Sequence, residues 1–218
     1  MSLDTYDNLL VDIADWLDRS DLTTRIPTFV SLAETRLNRQ LRVYWKTKYS
    51  LFNVAIAEVD LPLPDGFLGV RTLMAQTVPP RPLRYLSSES ANEGNLLADL
   101  GGRPSFFTII ADRLRVVPAP SVDLVLEMVY YFRDQFLSST NQTNLLLANV
   151  PDAMLYGALV EAKPFLKDDQ RLATWVTMYD QAINNAIEED KNFRWGDSVV
   201  VMTSAYDSNP SGTRVSTG

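Results

Sequence analysis

Apolar positions near both ends of the chain recur with the period of an α-helix. Between residues 4 and 18, the apolar side chains fall within an arc of about 120° and five aspartates lie opposite them on the helical wheel. The same period returns in three later stretches, the last of which has the most regular apolar stripe. The pattern predicts four amphipathic helices, at about residues 5–19, 27–44, 151–163 and 168–191.

Residues 46–135 have a different pattern, in which β-branched and aromatic residues alternate with polar ones. Most prolines and glycines also lie here, which favours turns between short strands. Pro64-Asp65-Gly66 predicts a turn, and Ala111-Asp112 predicts a tight hairpin turn without the glycine that such turns prefer. The last strand has two largely apolar faces, so we expect both to be covered. The predicted strands are 49–56, 70–74, 106–110, 113–117 and 123–131.

Together these patterns predict an α+β protein: a helical bundle built from both ends of the chain, a central antiparallel β insertion and an extended C-terminal tail. The predicted domains are a helical bundle domain of residues 1–45 and 136–195, a β insertion domain of residues 46–135, and a tail of residues 196–218. Small polar residues dominate the tail. Its candidate anchors on a partner are Val199, Val200, Val201, Met202 and Tyr206.

The composition is that of a globular protein. The chain has 218 residues, of which 46% are hydrophobic and 22% charged, and this length suffices for one ordinary domain or two small ones. No stretch approaches the roughly 18 uncharged apolar residues of a spanning helix, and the first twenty residues carry acids where a signal peptide carries bases. We therefore expect a protein that is made in the cytoplasm and has no membrane partner.

The residue types that are missing exclude most catalytic chemistry. The chain has no histidine and no cysteine, so it cannot form a disulfide, a thiolate nucleophile, a Ser-His-Asp triad or an ordinary zinc site. It also has no phosphate-binding glycine loop, dinucleotide-binding motif or EF-hand loop, so we expect no metal and no cofactor. Carboxylate, lysine or tyrosine chemistry remains, or no chemistry at all.

Two acidic groups are the best candidates for carboxylate catalysis, Asp168-Asp169 and Glu188-Glu189-Asp190. Both lie at the ends of a predicted helix. The first pair is better explained as a helix cap and first-turn charges, and the second group as solvated acids. A carboxylate-only hydrolase, for example a glycosidase, would instead need a deep cleft with two facing carboxyls.

Six arginines concentrate in the β region, where aromatic residues lie between them. This combination occurs on nucleic-acid surfaces and on protein interfaces. The chain has 20 Lys and Arg against 27 Asp and Glu, a net charge of −7, which repels phosphate. A protein interface or intramolecular ion pairs are therefore favoured over nucleic acid. The arginines are Arg71, Arg81, Arg84, Arg103, Arg113 and Arg115.

Four sequence strings, taken in order, resemble the head-to-tail adaptor family of tailed bacteriophages over residues 3–195. The resemblance includes a helix ending in Asp-Trp-Leu, a Gly-Arg-Pro entry to a strand, a Tyr-Tyr strand and a helix pair containing PFLKDD. Two features depart from the family pattern: the Ala111-Asp112 turn, where the family tends to show glycine, and the tail beyond Trp195. The strings begin LDTYDNLLVDIADWLDRSDL, GGRPSFFTII, LEMVYYFR and NVPDAMLYGALVEAKPFLKDD.

The resemblance implies a virion structural protein without enzymatic activity. Such adaptors form a dodecameric ring beneath the portal protein in the virion neck, extend the DNA channel, and provide a platform for tail or nozzle proteins. Double-stranded DNA would pass without sequence-specific contacts, and an acidic lumen would keep it from sticking, with Glu188, Glu189 and Asp190 or the aspartates of the first helix as candidates. The tail would dock on the portal or on neighbouring adaptors. The alternatives are a carboxylate-only phage glycoside hydrolase and another neck or tail interaction protein.

Overall fold

The computed structural model describes residues 3–91, 102–166 and 170–195. Within these ranges the chain forms six α-helices and two four-stranded β-sheets. The predicted α+β class is therefore confirmed. The tail of residues 196–218 lies outside the described residues.

The four long helices lie close to the predicted positions. The second helix ends at Gln40 rather than at residue 44, because Leu41 is extended and Tyr44–Lys46 forms a separate 3-10 helix. Two short α-helices and the 3-10 helix Ser20–Arg25 were not predicted as helices, apart from a weak tendency near residue 88. The α-helices are α1 Tyr6–Leu17, α2 Ile26–Gln40, α3 Ser88–Ala91, α4 Leu145–Asn149, α5 Pro151–Glu161 and α6 Arg171–Trp195.

The helices from the two ends of the chain share one hydrophobic core, to which α1, α2, α5 and α6 all contribute. Helix α5 lies at its centre and is buried along most of its surface, as expected for a helix that is apolar all round. Gly157 allows its close approach to two neighbours: an added Cβ would lie 3.1 Å from the Tyr179 ring and 3.2 Å from the Ala33 Cβ.

The two sheets have the strand orders β1-β8-β3-β4 and β2-β7-β6-β5. Residues of both sheets form a second hydrophobic core, which includes Leu73 and Met128 from the first sheet and Leu114 from the second. The sheets therefore pack face to face as a small sandwich. The strands are β1 Thr47–Val54, β2 Asp60–Pro62, β3 Phe67–Ala75, β4 Arg81–Pro82, β5 Arg84–Tyr85, β6 Phe106–Ile110, β7 Arg113–Val117 and β8 Leu124–Phe132.

Two predictions about the β region are wrong in part. The insertion is not purely antiparallel, because β5 runs parallel to β6. The two faces of β8 are covered to different extents: Leu126 and Met128 are fully buried, whereas Val125 and Val129 on the opposite face are only partly buried. Within the described residues, the second face is therefore covered in part.

Both predicted turns are present. Ala111 and Asp112 join β6 and β7 in the expected two-residue hairpin, with Ile110 opposite Arg113. Ala111 has φ 54°, a left-handed conformation that costs an L-residue free energy. Gly66 has φ +70°, and an added Cβ there would lie 2.7 Å from the Arg133 carbonyl oxygen, so this turn requires glycine.

Helix α2 holds both chain segments that connect the helices to the sandwich. In the segment after β8, the Leu137 N–H (3.1 Å) and the Asn144 Nδ2 (2.6 Å) donate hydrogen bonds to Glu34. In the segment before β1, the Lys46 Nζ donates to the Asn38 Oδ1 at 2.7 Å. Glu34 and Lys46 are each only 1% exposed. Burial accordingly raises the pKa of Glu34 to about 7 and lowers that of Lys46 to about 8.

Candidate protein interaction site

The end of the sandwich farthest from the helices carries a group of arginines. Strand β8 starts at this end, at Leu124, and runs toward the helices. The last residue of β3, Ala75, lies opposite Leu126 of β8, so β3 ends near the start of β8. Strand β4 pairs with the same end of β3, with Arg81 opposite Ala75. The segment that contains β4 and β5 therefore lies at the distal end of the sandwich.

A surface cleft at this end has arginines on its rim and prolines in its walls. One cavity of about 400 Å³ is lined by Pro79, Arg81, Pro82, Arg84, Pro104, Ser105 and Phe106. A neighbouring cavity of about 290 Å³ shares Arg81 and Pro104 with it and adds Arg103. We call the two together the arginine cleft. The fixed φ of proline makes its walls stiff.

The arginine cleft keeps its positive charge. Arg81, Arg84 and Arg103 are exposed, and none forms an ion pair with a carboxylate in the described part of the chain. Asp123 also lines the smaller cavity, but its Oδ1 accepts the Ile56 N–H at 2.9 Å. Guanidinium groups in such a setting bind carboxylates or phosphates through paired hydrogen bonds.

The other arginines of the sequence cluster behave differently. The Arg115 Nε donates to the Asp60 Oδ1 at 2.7 Å and its Nη2 to the Oδ2 at 2.9 Å, which is a bidentate pair across β7 and β2. This pair lowers the pKa of Asp60. Arg71 and Arg113 are exposed but do not line the arginine cleft. The sequence predicted an interface or intramolecular ion pairs for these arginines, and the pair of Arg115 with Asp60 confirms the second for one of them.

Helix α1 presents an acidic surface. Asp7, Asp15 and Asp18 are exposed and form no ion pair with a cation among the described residues. Asp7, Val11 and Asp15 follow each other at intervals of four, so they form one row along the helix. Val11 is 49% exposed in the middle of this row. We call Asp7, Val11 and Asp15 the α1 row.

The three acids proposed near the end of α6 have different environments. Glu188 and Glu189 are exposed. Asp190 is only 7% exposed, and it accepts the Tyr44 N–H at 2.6 Å and pairs with the Arg194 Nη2 at 2.9 Å. Its carboxylate thus attaches the end of α6 to the segment between α2 and β1, a structural role that is also supported by stacking of Tyr44 on Phe193 at 3.7 Å. Arg194, four residues after Asp190, was the available sequence signal for such a pair.

The remaining candidate residues lie outside the described residues. These are the acids Asp168 and Asp169 and the tail anchors Val199, Val200, Val201, Met202 and Tyr206. Among the described residues, no group of three or more acids could hold a metal ion. Each of three surface cavities there has at most one carboxylate among its lining residues, Asp123. In the described part, no helix is both long and apolar enough to cross a bilayer.

Comparison with protein families identifies the kind of protein. A family model matches residues 4–202, almost the whole chain, and the matched family is one of phage head-to-tail adaptors. The matched family is that of the SU10 adaptor protein, and the chain belongs to this family. No curated protein matches the chain. Membership implies a structural role in a phage particle and contact with portal and tail components.

Proposed function

We propose that this chain is a structural protein of the virion neck, whose copies form a ring, twelvefold as in adaptors that it resembles, beneath the portal. The ring extends the DNA channel and offers a platform to tail or nozzle proteins, and the chain has no enzymatic activity. The family match over residues 4–202 carries this proposal. The exposed charged surfaces of the described residues suit a protein that works by binding. Another neck or tail interaction protein is the alternative that remains closest to these observations.

The division into two hydrophobic cores supports the proposed domains. We assign residues 1–45 and 136–195 to a helical bundle domain, because the residues that share the first core come from these two segments. Residues 46–135 form the β insertion domain around the second core. Residues 196–218 form the tail domain of the proposal.

For the lumen of the ring, the contacts of α6 narrow its three candidate acids to Glu188 and Glu189, and the aspartates of α1 are the alternative candidates. Both are exposed, whereas Asp190 is buried in contacts of its own chain. Exposed carboxylates on the inner wall repel phosphate within about 8 Å at physiological salt. Double-stranded DNA then passes without sequence-specific contacts, since each cation that paired with a phosphate would add affinity.

The tail is proposed to dock on the portal or on a neighbouring adaptor. Helix α6 ends at Trp195, and the residues after it, if fully extended, reach about 75 Å at most. Ordering them costs about 1–2 kcal/mol of backbone entropy per residue, which a partner surface must offset. Val199, Val200, Val201, Met202 and Tyr206 are its apolar anchors.

Electron microscopy of the purified chain mixed with its portal protein tests this function. We expect a second ring stacked on the portal ring. A chain truncated before residue 197 should stay folded but no longer join the portal stably. Portal particles without an added ring would contradict the adaptor function. An added ring formed equally well by the truncated chain would contradict only the role of the tail.

A further inference from the structure

Two surfaces of opposite charge, whose residues form no ion pair in the described part, lie on different parts of this chain. The arginine cleft at the distal end of the sandwich carries Arg81, Arg84 and Arg103 without carboxylate partners in the described part. The α1 row on the helices presents two carboxylates without cationic partners there. By contrast, Arg19, Arg36, Arg115 and Arg194 all pair within the chain.

The two surfaces also match in their apolar parts. Val11 is exposed at the centre of the α1 row, between Asp7 and Asp15. The arginine cleft has prolines and Phe106 as apolar side chains beside its arginines. An apolar centre with a charged rim is the usual arrangement of a protein interface, and a helix that inserts a row of residues spaced by four into a groove is a common form of recognition.

We propose that the α1 row of one copy of this chain docks in the arginine cleft of a second copy. Val11 enters the space between the prolines and Phe106, while Asp7 and Asp15 pair with the arginines on the rim. Each copy has a net charge of −7, so long-range repulsion opposes DNA, a polyanion, more strongly than it opposes a second copy. The attraction between copies is local, between the arginines of the arginine cleft and the carboxylates of the α1 row.

The proposed contact joins different surfaces of the two copies, so it is heterologous. Each copy offers one α1 row and one arginine cleft, and repetition of such a contact produces either a closed ring or an open filament. The inference thus deepens the proposed function, on which it rests for the expectation that the contact closes into a ring. The contact itself can be tested without the portal.

The absence of cysteine from the chain permits a selective cross-linking test on the full-length protein. Val11→Cys is placed in one copy, and Ser105→Cys, on the wall of the arginine cleft, in a second copy with a tag. The mixed copies are treated with a short bis-maleimide, and the tagged heterodimer is quantified by mass spectrometry. We expect a heterodimer, and we expect it to weaken in high salt.

Charge reversal then tests the pairing. Arg84→Glu with Arg103→Glu in the Ser105→Cys copy should lower the heterodimer yield about tenfold or more, because charge-assisted hydrogen bonds are lost and like charges meet. Asp7→Arg with Asp15→Arg in the Val11→Cys copy should restore the yield, which also shows that both variants are folded. The matched control is Arg71→Glu with Arg113→Glu, which reverses two exposed arginines outside the arginine cleft and should leave the yield unchanged.

The outcomes separate this inference from the proposed function. No heterodimer, or one whose yield does not respond to charge reversal at the arginine cleft, overturns the contact. Loss of duplex DNA binding on Arg84→Glu with Arg103→Glu, without any heterodimer in the parent pair, assigns the arginine cleft to phosphate and also overturns it. If the contact fails but a ring still forms on the portal, the adaptor function stands. If the heterodimer forms but no ring joins the portal, the adaptor function fails.

Discussion

The helical part and the sandwich use their apolar residues differently. In the helices, α5 is enclosed by α1, α2 and α6, and the long apolar stripes face one core. In the sandwich, Tyr49, Leu51 and Tyr85 are each more than half exposed although they lie on strands. The helices bury most of their apolar stripes in one core, while the sandwich, which has a core of its own, also leaves apolar and cationic side chains exposed on its strands. Scattered exposed apolar residues are ordinary, but Tyr85 lies next to Arg84, an arginine without an ion pair in the described part of the chain.

The positions of the four tryptophans allow unfolding of the helical part to be measured separately from unfolding of the sandwich. Trp16, Trp45, Trp175 and Trp195 all lie outside the residues from the start of β1 to the end of β8. Tryptophan fluorescence therefore follows unfolding of the helical part and its junction, while the sandwich can be followed separately by amide hydrogen exchange. The predictions below use this separation.

The largest effect is expected from a cavity at the centre of the helical core. Leu159→Ala removes a fully buried side chain of α5 and should lower the free energy of unfolding by about 2–5 kcal/mol. Urea unfolding followed by tryptophan fluorescence measures the change. Val160→Ala is the matched control, because Val160 is only half-buried and should cost clearly less. Equal losses for the two variants would show that α5 is not the central helix.

The second effect concerns the buried carboxylate at the junction. The folded-state pKa of Glu34 is raised from 4.5 to about 7 by burial, so the folded chain holds a proton that the unfolded chain loses between these values. The contribution of Glu34 to stability is thus greatest below pH 4.5 and falls as the pH rises to about 7, by about 3 kcal/mol at most. Glu34→Gln has no such titration, so its stability relative to the parent chain should rise over this interval.

Urea unfolding of both chains at several pH values from 4.5 to 7.5 measures that difference. Glu189→Gln, at an exposed position on α6, is the control and should show little change with pH. A Glu34→Gln difference that is independent of pH would mean that Glu34 is ionised throughout. Glu34→Ala should be destabilising at every pH, because it leaves the buried Leu137 N–H without its acceptor, at about 1–3 kcal/mol, and removes one of the two acceptors of the Asn144 Nδ2.

A smaller effect, a gain in stability instead of a loss, is expected in the sandwich. Ala111→Gly should raise the free energy of unfolding by about 0.5–1 kcal/mol, because glycine adopts a positive φ without the steric cost that alanine has there. Protection of β6 and β7 amides from hydrogen exchange measures the gain. The control Ala148→Gly changes an exposed residue of α4 and should destabilise by up to about 1 kcal/mol. A loss of protection in Ala111→Gly would contradict the strained turn.

The smallest effect is expected at the ion pair of the sandwich. Asp60→Asn breaks the bidentate contact with Arg115. The side chains of Asp60 and Arg115 are 31% and 36% exposed, respectively. We expect a loss of about 0.2–1 kcal/mol, reduced further by salt. The thermal midpoint at low and high salt measures it, with Asp112→Asn as an exposed control that has no ion pair among the described residues. A loss well above this range would show that the pair is effectively buried.

The sequence was sufficient to predict the elements that have a long apolar periodicity or a clear local turn. The four long helices and the hairpin of β6 and β7 follow directly from it, because a stripe of apolar residues and a two-residue turn are local signals. Strands β2, β4 and β5 have two or three residues each, too few to show alternation. Their formation, including the parallel pairing of β5, depends on partners distant in sequence.

Only the residue types of the candidate site, and not their arrangement, were predictable from the sequence. The arginine cluster is visible in the sequence, but the separation of Arg115, which pairs with Asp60, from the arginine cleft depends on long-range strand pairing. The buried role of Asp190 was missed because its main partner, the Tyr44 N–H, lies far away in the sequence. Carboxylates that contact backbone groups of distant elements give no local pattern.

The attachment of both connecting segments to α2 has a mechanical consequence. Glu34 and Asn38 are four residues apart, about one helical turn. A sideways force on the sandwich is therefore transmitted to the helices over a short base, at two neighbouring points on α2 and at the end of α6, where Asp190 accepts the Tyr44 N–H. The rigidity of α2, held on its other side by α5, then limits how far the sandwich tilts when a partner protein pushes against it.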